Sequence, residues 1–186
     1  MIIGVVGPIA SGKSMLSDAL VKRGFTKLSF SAEVREEAKN RGIPIERSAL
    51  QDLGNEMRQK KGNDYWAQRV IAKIEKGRHH IIEGIRNPAE VTTLQKLNDF
   101  VLIAVDAPVE KRYQWIMIRQ KDSDPSSLEA VKAIDARDRG EGEAVHGQQS
   151  AACVEMATIR LYNDKTKEHF EKKVDKLLRK LKVMDN

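Results

Sequence analysis

The sequence has little cysteine and no long hydrophobic run, and each shortage excludes a class of protein. Cys153 is the only cysteine in 186 residues, so we expect neither a disulfide nor a zinc cluster. No apolar stretch approaches the roughly 20 residues of a membrane-spanning helix. The first apolar strand begins at residue 2, and we expect no signal peptide before it. These features predict a cytoplasmic protein with no membrane partner, acting as a monomer or a homodimer.

Acidic residues are fewer than basic ones, with 27 against 33, which gives a formal net charge of +6. Most of the excess lies between Lys165 and Lys182, where eight basic residues accompany three acidic ones. The apolar residues of this segment are spaced as one face of a helix: Phe170, Val174, Leu177, Leu178 and Leu181. We interpret the segment as an amphipathic helix with a solvated basic face, and we do not expect a nucleic-acid partner.

A phosphate-binding motif stands at the beginning of the chain. The apolar run Ile2–Val6 is followed by GPIASGKS at residues 7–14, which fits the P-loop pattern G-x-x-x-x-G-K-S before a helix. Glycine at both ends lets such a loop aim its backbone N–H groups at phosphate oxygens, next to the positive end of the helix dipole. Lys13 would reach the β- and γ-phosphates of ATP, and the Ser14 hydroxyl would hold Mg²⁺. The expected nucleotide contacts are Gly7, Ala10, Ser11, Gly12, Lys13, Ser14 and Met15.

Further along the chain, short apolar runs alternate with helical patterns. Strands are predicted at residues 2–6, 25–30, 80–82, 100–105 and 158–162, with helices between and after them. This alternation predicts an α/β protein with the P-loop NTPase fold, in which a five-stranded parallel sheet has helices on both faces. The polar stretch from Gln120 to Gly147 is interpreted as a mobile lid segment inserted over the active site.

Two arginine motifs resemble those of the nucleoside monophosphate kinases. At residues 29–35 the sequence SFSAEVR resembles the motif in which a Ser or Thr precedes an Arg by four residues. At residues 83–88 the sequence EGIRNP resembles the acidic residue, glycine and phosphate-gripping arginine that follow the third strand of that family. Over nearly the whole chain, the resemblance is to small adenylate-kinase-related and dephospho-CoA-kinase-like P-loop proteins. It implies a single kinase domain over residues 1–186, with acceptor-binding helices at about 31–76 and a lid at about 120–147.

The resemblance also implies roles for individual residues. Ser31, Arg35 and Arg86 would bind the phosphate of the acceptor, since a planar guanidinium suits phosphate oxygens. Glu83 occupies the place of an acidic residue that orients Mg²⁺ through water, although a salt bridge of Glu83 with Lys13 or Arg86 is the alternative. Arg119, Arg137 and Arg139 resemble the arginines of a closing lid, with Gly140 and Gly142 as its hinge. Asn163 lies where relatives contact the adenine of the donor.

These features predict a Mg·ATP-dependent kinase that phosphorylates a nucleoside monophosphate or a related nucleotide. An alternative is dephospho-CoA kinase, in which Glu83 or Glu33 would act as the base for a ribose hydroxyl. The residues that read the acceptor depart from both families: Ala89 replaces a base-reading glutamine, and SAE at residues 31–33 replaces an acidic pair. A second alternative is a P-loop ATPase with a regulatory or RNA-associated role, supported by the basic tail alone.

Overall fold

The computed structural model describes residues 1–120, 124–140 and 144–183, which form five strands and nine helices. The strands are β1 (Ile2–Val6), β2 (Thr26–Ser29), β3 (His80–Glu83), β4 (Phe100–Asp106) and β5 (Ile159–Tyr162). The helices are α1 (Lys13–Val21), α2 (Phe30–Asn40), α3 (Arg47–Lys61), α4 (Tyr65–Ile71), α5 (Pro88–Leu94), α6 (Val109–Arg119), α7 (Leu128–Arg139), α8 (Ser150–Glu155) and α9 (Lys167–Lys180). None of these nine described helices combines the length and the apolar character that crossing a membrane requires.

All five strands run parallel in one sheet, in the order β2-β3-β1-β4-β5. Ile2 of the central strand β1 pairs with His80 of β3 on one side and with Phe100 of β4 on the other. The chain continues from β1 to one half of the sheet and crosses to the other half only at β4. Such a reversal opens a crevice beyond the carboxyl end of the central strand. The loops that follow β1, β2 and β3 therefore converge at one edge of the sheet.

Successive residues of the central strands face two separate apolar cores, so these strands are buried on both faces. One core contains Val6, Ile82 and Leu102 together with side chains from α2, α3 and α4, among them Phe30, Leu53 and Trp66. The other contains Ile3, Val5, Ile81 and Ile103 together with side chains from α1 and α9, among them Leu16, Leu20, Phe170 and Leu178. The predicted three-layer α/β/α architecture with a five-stranded parallel sheet is confirmed.

The basic C-terminal segment forms the predicted amphipathic helix, α9. Thr166 caps its beginning, because the side chain of Thr166 accepts a hydrogen bond from the backbone N–H of His169 at 3.2 Å. Phe170, Val174, Leu177 and Leu178 are buried against the sheet and α1. Apolar packing therefore explains the helical spacing in this segment.

The segment at residues 120–147, expected to be a polar, mobile lid, contains a helix in its described part. Its described part contains α7, which begins after the N-cap Ser127 and ends at Gly140 in the left-handed conformation (φ 91°). Val131 is fully buried, and the helix packs against α6 and α8. The sequence signal was weak because half of the residues of this helix are charged. Gly142, expected as part of a hinge, lies outside the described residues.

A buried ion pair fixes α7 to the rest of the molecule. The Arg112 guanidinium is 3% exposed and binds both carboxylate oxygens of Asp135, with Nη1–Oδ1 3.1 Å and Nη2–Oδ2 2.5 Å. Arg112 also donates to the carbonyl oxygens of Ala107 (3.0 Å) and Ile9 (3.1 Å). One guanidinium thus connects α6, α7, the end of β4 and the loop after β1.

We expect Arg112→Met to lower the free energy of unfolding by about 3–5 kcal/mol, because it leaves the Asp135 carboxylate buried without its cation. Urea titration followed by circular dichroism measures this change. The matched control is Arg160→Met, since Arg160 makes an exposed pair with Glu155 and its loss should change stability by no more than about 0.5–1 kcal/mol. Equal effects of the two substitutions would contradict a structural role for the buried pair.

Candidate active site

The loop between β1 and α1 has the backbone conformation of a phosphate-binding loop. Gly7 and Gly12 have φ of 140° and 106°, and Ala10 adopts the left-handed region at 58°. A Cβ on Gly7 would collide with the carbonyl oxygen of Val105, and a Cβ on Gly12 would lie 2.7 Å from Nδ2 of Asn163. Both glycines are therefore required by conformation and by close packing. This geometry aims the P-loop at the crevice beyond β1.

Lys13 extends along the loop that precedes it. Its ammonium donates hydrogen bonds to the carbonyl oxygens of Gly7 (2.9 Å) and Pro8 (2.6 Å). Burial lowers the pKa of Lys13 to about 7, and the nearby Arg86 guanidinium acts in the same direction, whereas the carboxylates of Asp138 and Glu83 oppose the shift. A phosphate group beside this ammonium would favour its charged form.

The P-loop forms one wall of a cavity of about 570 Å³. Six of the predicted nucleotide contacts line this cavity: Gly7, Ala10, Ser11, Gly12, Lys13 and Ser14. Met15 does not line it and instead packs against the apolar core formed with α1 and α9. The remaining walls come from α2, α3, the β3–α5 loop and the segment around α7. Of the described lining residues, six are basic (Lys13, Arg35, Arg47, Arg58, Arg86 and Arg119) and two are acidic (Glu83 and Asp138).

The predicted acceptor residues of α2 line the same cavity. The exposed guanidinium of Arg35 donates from Nη1 to the carbonyl oxygen (3.3 Å) and the hydroxyl (3.2 Å) of Ser31. The hydroxyls of Ser29 and Ser31 are 2.8 Å apart. These residues follow β2 directly, so the parallel sheet brings them to the P-loop edge. Their exposed polar groups are available to a ligand in the cavity.

Arg86 lies between the P-loop and the segment around α7. Its Nη1 donates to Oδ2 of Asp138 (3.2 Å) and to the hydroxyl of Ser150 (3.3 Å). The buried carboxylate of Glu90 fixes the loop that contains Arg86. It accepts hydrogen bonds from the backbone N–H groups of Arg86 (2.8 Å) and Asn87 (2.9 Å). Glu90 also binds Arg58 at 2.8 Å. This support fixes the backbone of Arg86 at the cavity.

Glu83 ends β3 at the floor of the cavity, as the sequence predicted. It does not pair with Lys13 or Arg86. Its Oε1 accepts a short hydrogen bond from the Ser17 hydroxyl, and its Oε2 binds the Lys27 ammonium at 2.7 Å. Together with the exposed Ser14 hydroxyl, Glu83 supplies oxygen ligands of the type that Mg²⁺ prefers. Among residues 1–120, 124–140 and 144–183, no cluster of three His, Cys, Asp or Glu side chains could hold a metal by itself. A bound Mg²⁺ would therefore draw its other ligands from phosphate and water.

The three arginines expected in the lid have different positions. Arg119 lines the cavity, and its guanidinium is paired with both carboxylate oxygens of Asp124 (2.7 and 2.6 Å). Arg137 reaches α3, where its Nη2 is 3.6 Å from Oδ1 of Asp52. Arg139 is exposed, and neither it nor Arg137 lines the cavity. The structure thus brings only Arg119 of this group to the P-loop.

Asn163 and Glu33 lie outside the cavity walls. Asn163 is 5% exposed, and its Nδ2 donates to the carbonyl oxygen of Ser11 at 3.1 Å. Its amide therefore holds the backbone of the P-loop and does not face the cavity. Glu33 faces α4, where its carboxylate binds Arg69 (3.1 Å) and Lys73 (2.5 Å). Glu33 is therefore not placed to serve as a base at the P-loop.

Several lining residues were missed by the sequence analysis: Arg47, Arg58, Asp138 and Gln148. Arg47 begins α3, and Asp138 stands between two arginines in RDR at residues 137–139. In the sequence these charges look like ordinary solvated positions. Burial distinguishes Asp138, since its side chain is 6% exposed, and burial becomes visible only when α7 is packed.

A family model and similar solved structures show the class of fold to which the protein belongs. The AAA domain family matches residues 3–133 of the chain. Similar solved structures include TT1252 from Thermus thermophilus, with a TM-score of 0.57, 21% identity and 97% coverage of both chains. Shikimate kinase from Acinetobacter baumannii, in complex with shikimate, has a TM-score of 0.55 and 13% identity over 97% of this chain and 92% of that chain. At these identities the likeness concerns the fold, and the protein has a P-loop kinase-like, nucleotide-binding fold.

The sequence relatives then identify the family. The UPF0200 protein of Hyperthermus butylicus is 31% identical over 183 residues, covering 97% of this chain and 95% of the relative. The UPF0200/UPF0201 protein of Archaeoglobus fulgidus is 34% identical over 186 residues, but this chain spans only 55% of its length. The chain belongs to the AAA domain family and to the UPF0200 proteins.

We expect nucleotide binding at pH 8 to take up close to one proton. A pKa of about 7 leaves roughly nine-tenths of Lys13 neutral at that pH, and bound phosphates restore its charge. Calorimetric titrations with ATP in two buffers of different ionisation enthalpy measure this uptake.

Lys13→Arg is the matched control, because arginine stays charged at pH 8 and its variant should bind without the additional proton. Equal proton uptake by the two proteins would contradict the lowered pKa of Lys13.

Proposed function

We propose that this protein is a Mg·ATP-dependent phosphotransferase that acts on a nucleoside monophosphate or a related nucleotide. The observation that carries the proposal is that the P-loop and several arginines line one cavity of about 570 Å³. These arginines are Arg35, Arg47, Arg58, Arg86 and Arg119. A phosphoryl group could pass directly between two molecules bound there, because catalysis of this reaction consists mainly of positioning and charge neutralisation.

On the donor side, the backbone N–H groups of residues 7–14 and the Lys13 ammonium would hold the phosphates of ATP. Ser14 would contribute its hydroxyl to Mg²⁺, and Glu83 would act through water held next to the ion. When bound, the ion supplies positive charge that stabilises the charge developing on the transferred phosphoryl group. The contact of Glu83 with Lys27 and Ser17 supports this role by fixing the direction of its carboxylate.

On the acceptor side, Arg35 and Arg47 provide positive charge at the end of the cavity formed by α2 and α3. Arg86 lies between these residues and Lys13, close enough to Lys13 to influence its pKa. We assign Arg35 and Arg47 to the anionic group of the acceptor and Arg86 to the phosphoryl group in transfer. Ser31 would add a hydroxyl to the acceptor site, held by its contact with Arg35.

Arg119 is the lid arginine best positioned to neutralise the phosphates of ATP, since it already lines the cavity. Arg137 and Arg139 would join it only if α7 turned towards the P-loop. We therefore assign Arg119 a direct role and give the other two a role in closure alone.

An ADP-release assay with Mg·ATP tests the proposal against a panel of acceptors. The panel contains ribonucleoside and deoxyribonucleoside monophosphates, dephospho-CoA, and shikimate, since three of the similar structures are shikimate kinases. We expect one nucleotide to stimulate ADP release by the wild-type protein, and Lys13→Ala to abolish this stimulation. ADP release that no acceptor changes would contradict the proposal and favour a P-loop ATPase.

Arg86→Ala should impair the transfer step more than the binding of ATP, because Arg86 is assigned to the phosphoryl group as it moves to the acceptor. Charge-assisted hydrogen bonds contribute about 1.5–3 kcal/mol, so kcat/KM for the acceptor should fall by about 10- to 100-fold. The affinity for ATP, measured by calorimetry, should change by less than about threefold. Arg160→Ala is the control, because Arg160 is exposed and does not line the cavity. Loss of ATP affinity with unchanged use of the acceptor would refute the assignment of Arg86.

A further inference from the structure

The carboxylate of Asp138 is an unusual feature of the cavity, because it is almost entirely buried and only one of its two oxygens accepts a hydrogen bond. One oxygen, Oδ2, accepts a hydrogen bond from Arg86 at 3.2 Å and lies 3.9 Å from Nη2 of Arg47. The other oxygen, Oδ1, is buried and has no hydrogen-bond partner within the part of the chain that the structure describes. A buried carboxylate oxygen without a hydrogen-bond donor destabilises the folded protein. A bound ligand could supply the missing donor.

A second oxygen in the same cavity has the same need. Gln148 is 8% exposed, and its side-chain Oε1 is also buried without a hydrogen-bond partner among the described residues. Both atoms can only accept hydrogen bonds. A fully ionised phosphate offers no donor to either atom, whereas a hydroxyl group does. Oδ1 of Asp138 and Oε1 of Gln148 therefore match a ligand with hydroxyl groups that donate hydrogen bonds.

The other carboxylates near the P-loop are already satisfied. Glu83 uses one oxygen for the Ser17 hydroxyl and the other for the Lys27 ammonium. Glu90 accepts from Arg58 and from two backbone N–H groups and is fully buried. Among the described residues lining the cavity, Asp138 alone offers a carboxylate oxygen that no protein donor occupies. Its charge opposes the lowering of the Lys13 pKa, so it lies near the Lys13 ammonium.

We propose that Asp138 is the general base of the reaction and that the group phosphorylated is a hydroxyl of an anionic, sugar-containing acceptor such as a nucleotide. The inference rests on the proposed function and narrows it. The phosphate of the acceptor binds near Arg35 and Arg47, and its sugar hydroxyl donates a hydrogen bond to Oδ1 of Asp138. Arg86 holds the other carboxylate oxygen and so directs Oδ1 towards the hydroxyl.

The transfer step balances without a further reactant. The hydroxyl oxygen of the acceptor forms a bond to the γ-phosphorus of ATP. The bond from that phosphorus to the β,γ-bridging oxygen breaks, and its electron pair leaves with ADP. The hydroxyl proton passes to Asp138 Oδ1 and then to solvent. The products are a phosphomonoester, ADP and one proton.

A different role for Asp138 makes opposite predictions. If its carboxylate only occupied Arg86 until an acceptor phosphate displaced it, then removal of its charge would improve the binding of that phosphate. The product would then be a phosphoanhydride, formed on a phosphate oxygen that needs no base. Product chemistry and the effect of Asp138→Asn therefore distinguish the two roles.

The experiment compares the wild-type protein with Asp138→Asn, using Mg·ATP and the acceptor panel, and identifies the product by ³¹P NMR. We expect a phosphomonoester from the wild-type protein. Asp138→Asn should lower kcat by about 100- to 10,000-fold, the usual contribution of a general base, while its affinity for ATP by calorimetry stays within about threefold. Retained ATP binding also establishes that the variant is folded.

The control is Asp175→Asn, because Asp175 is a partly exposed aspartate that pairs with Arg23 at 3.2 Å and does not line the cavity. It should retain the wild-type kcat. The readout that a purely structural role would not give is a lowered kcat with an unchanged KM for the acceptor, because the base acts on the transfer step and not on binding.

A phosphoanhydride product, or an Asp138→Asn variant with kcat within about threefold of wild type, would overturn this inference and leave the nucleotide kinase proposal standing. Absence of any phosphorylated acceptor with the wild-type protein would overturn both.

Discussion

The buried guanidinium of Arg112 is the contact on which the rest of the site depends. It joins the carboxylate of Asp135 on α7 to the carbonyl oxygen of Ile9 in the P-loop. Because a buried ion pair with two hydrogen bonds is strongly directional, α7 is held at a defined position relative to the P-loop. Asp138, one turn further along α7, is thereby fixed beside Arg86 at the cavity. The position of Asp138 at the cavity thus depends on a residue that does not line it.

Much of the fold and the half of the site built on the strand ends could be predicted because both follow from local patterns. Short apolar runs separated by helices predicted the five parallel strands. In a parallel sheet the carboxyl ends of neighbouring strands share one edge, so Lys13 after β1, Ser31 after β2 and Glu83 and Arg86 after β3 were expected together. The structure brings all four to one cavity. The other predicted residues at the cavity belong to the P-loop, and the spacing of its motif predicted them. They are Gly7, Ala10, Ser11, Gly12 and Ser14.

The other half of the site depends on packing between distant segments, which no local pattern reveals. Asp138 is separated from Arg86 by 52 residues in the chain, and RDR at residues 137–139 looks like a solvated helix end. The helix α7 itself was missed because half of its residues are charged, although Val131 is fully buried. Asn163 was expected at the adenine, whereas its amide supports the carbonyl of Ser11. In each case burial or tertiary contact decides the position.

The central claim is that ATP and an acceptor meet in one cavity and exchange a phosphoryl group directly. The most direct measurement supplies ATP labelled with ¹⁸O in its γ-phosphoryl group, together with a pool of nucleotide acceptors, and follows the label by mass spectrometry. Direct transfer predicts that the labelled phosphoryl group appears intact in one phosphorylated acceptor. Label found only in inorganic phosphate would mean that water, and not a bound acceptor, receives the group, and would contradict the claim.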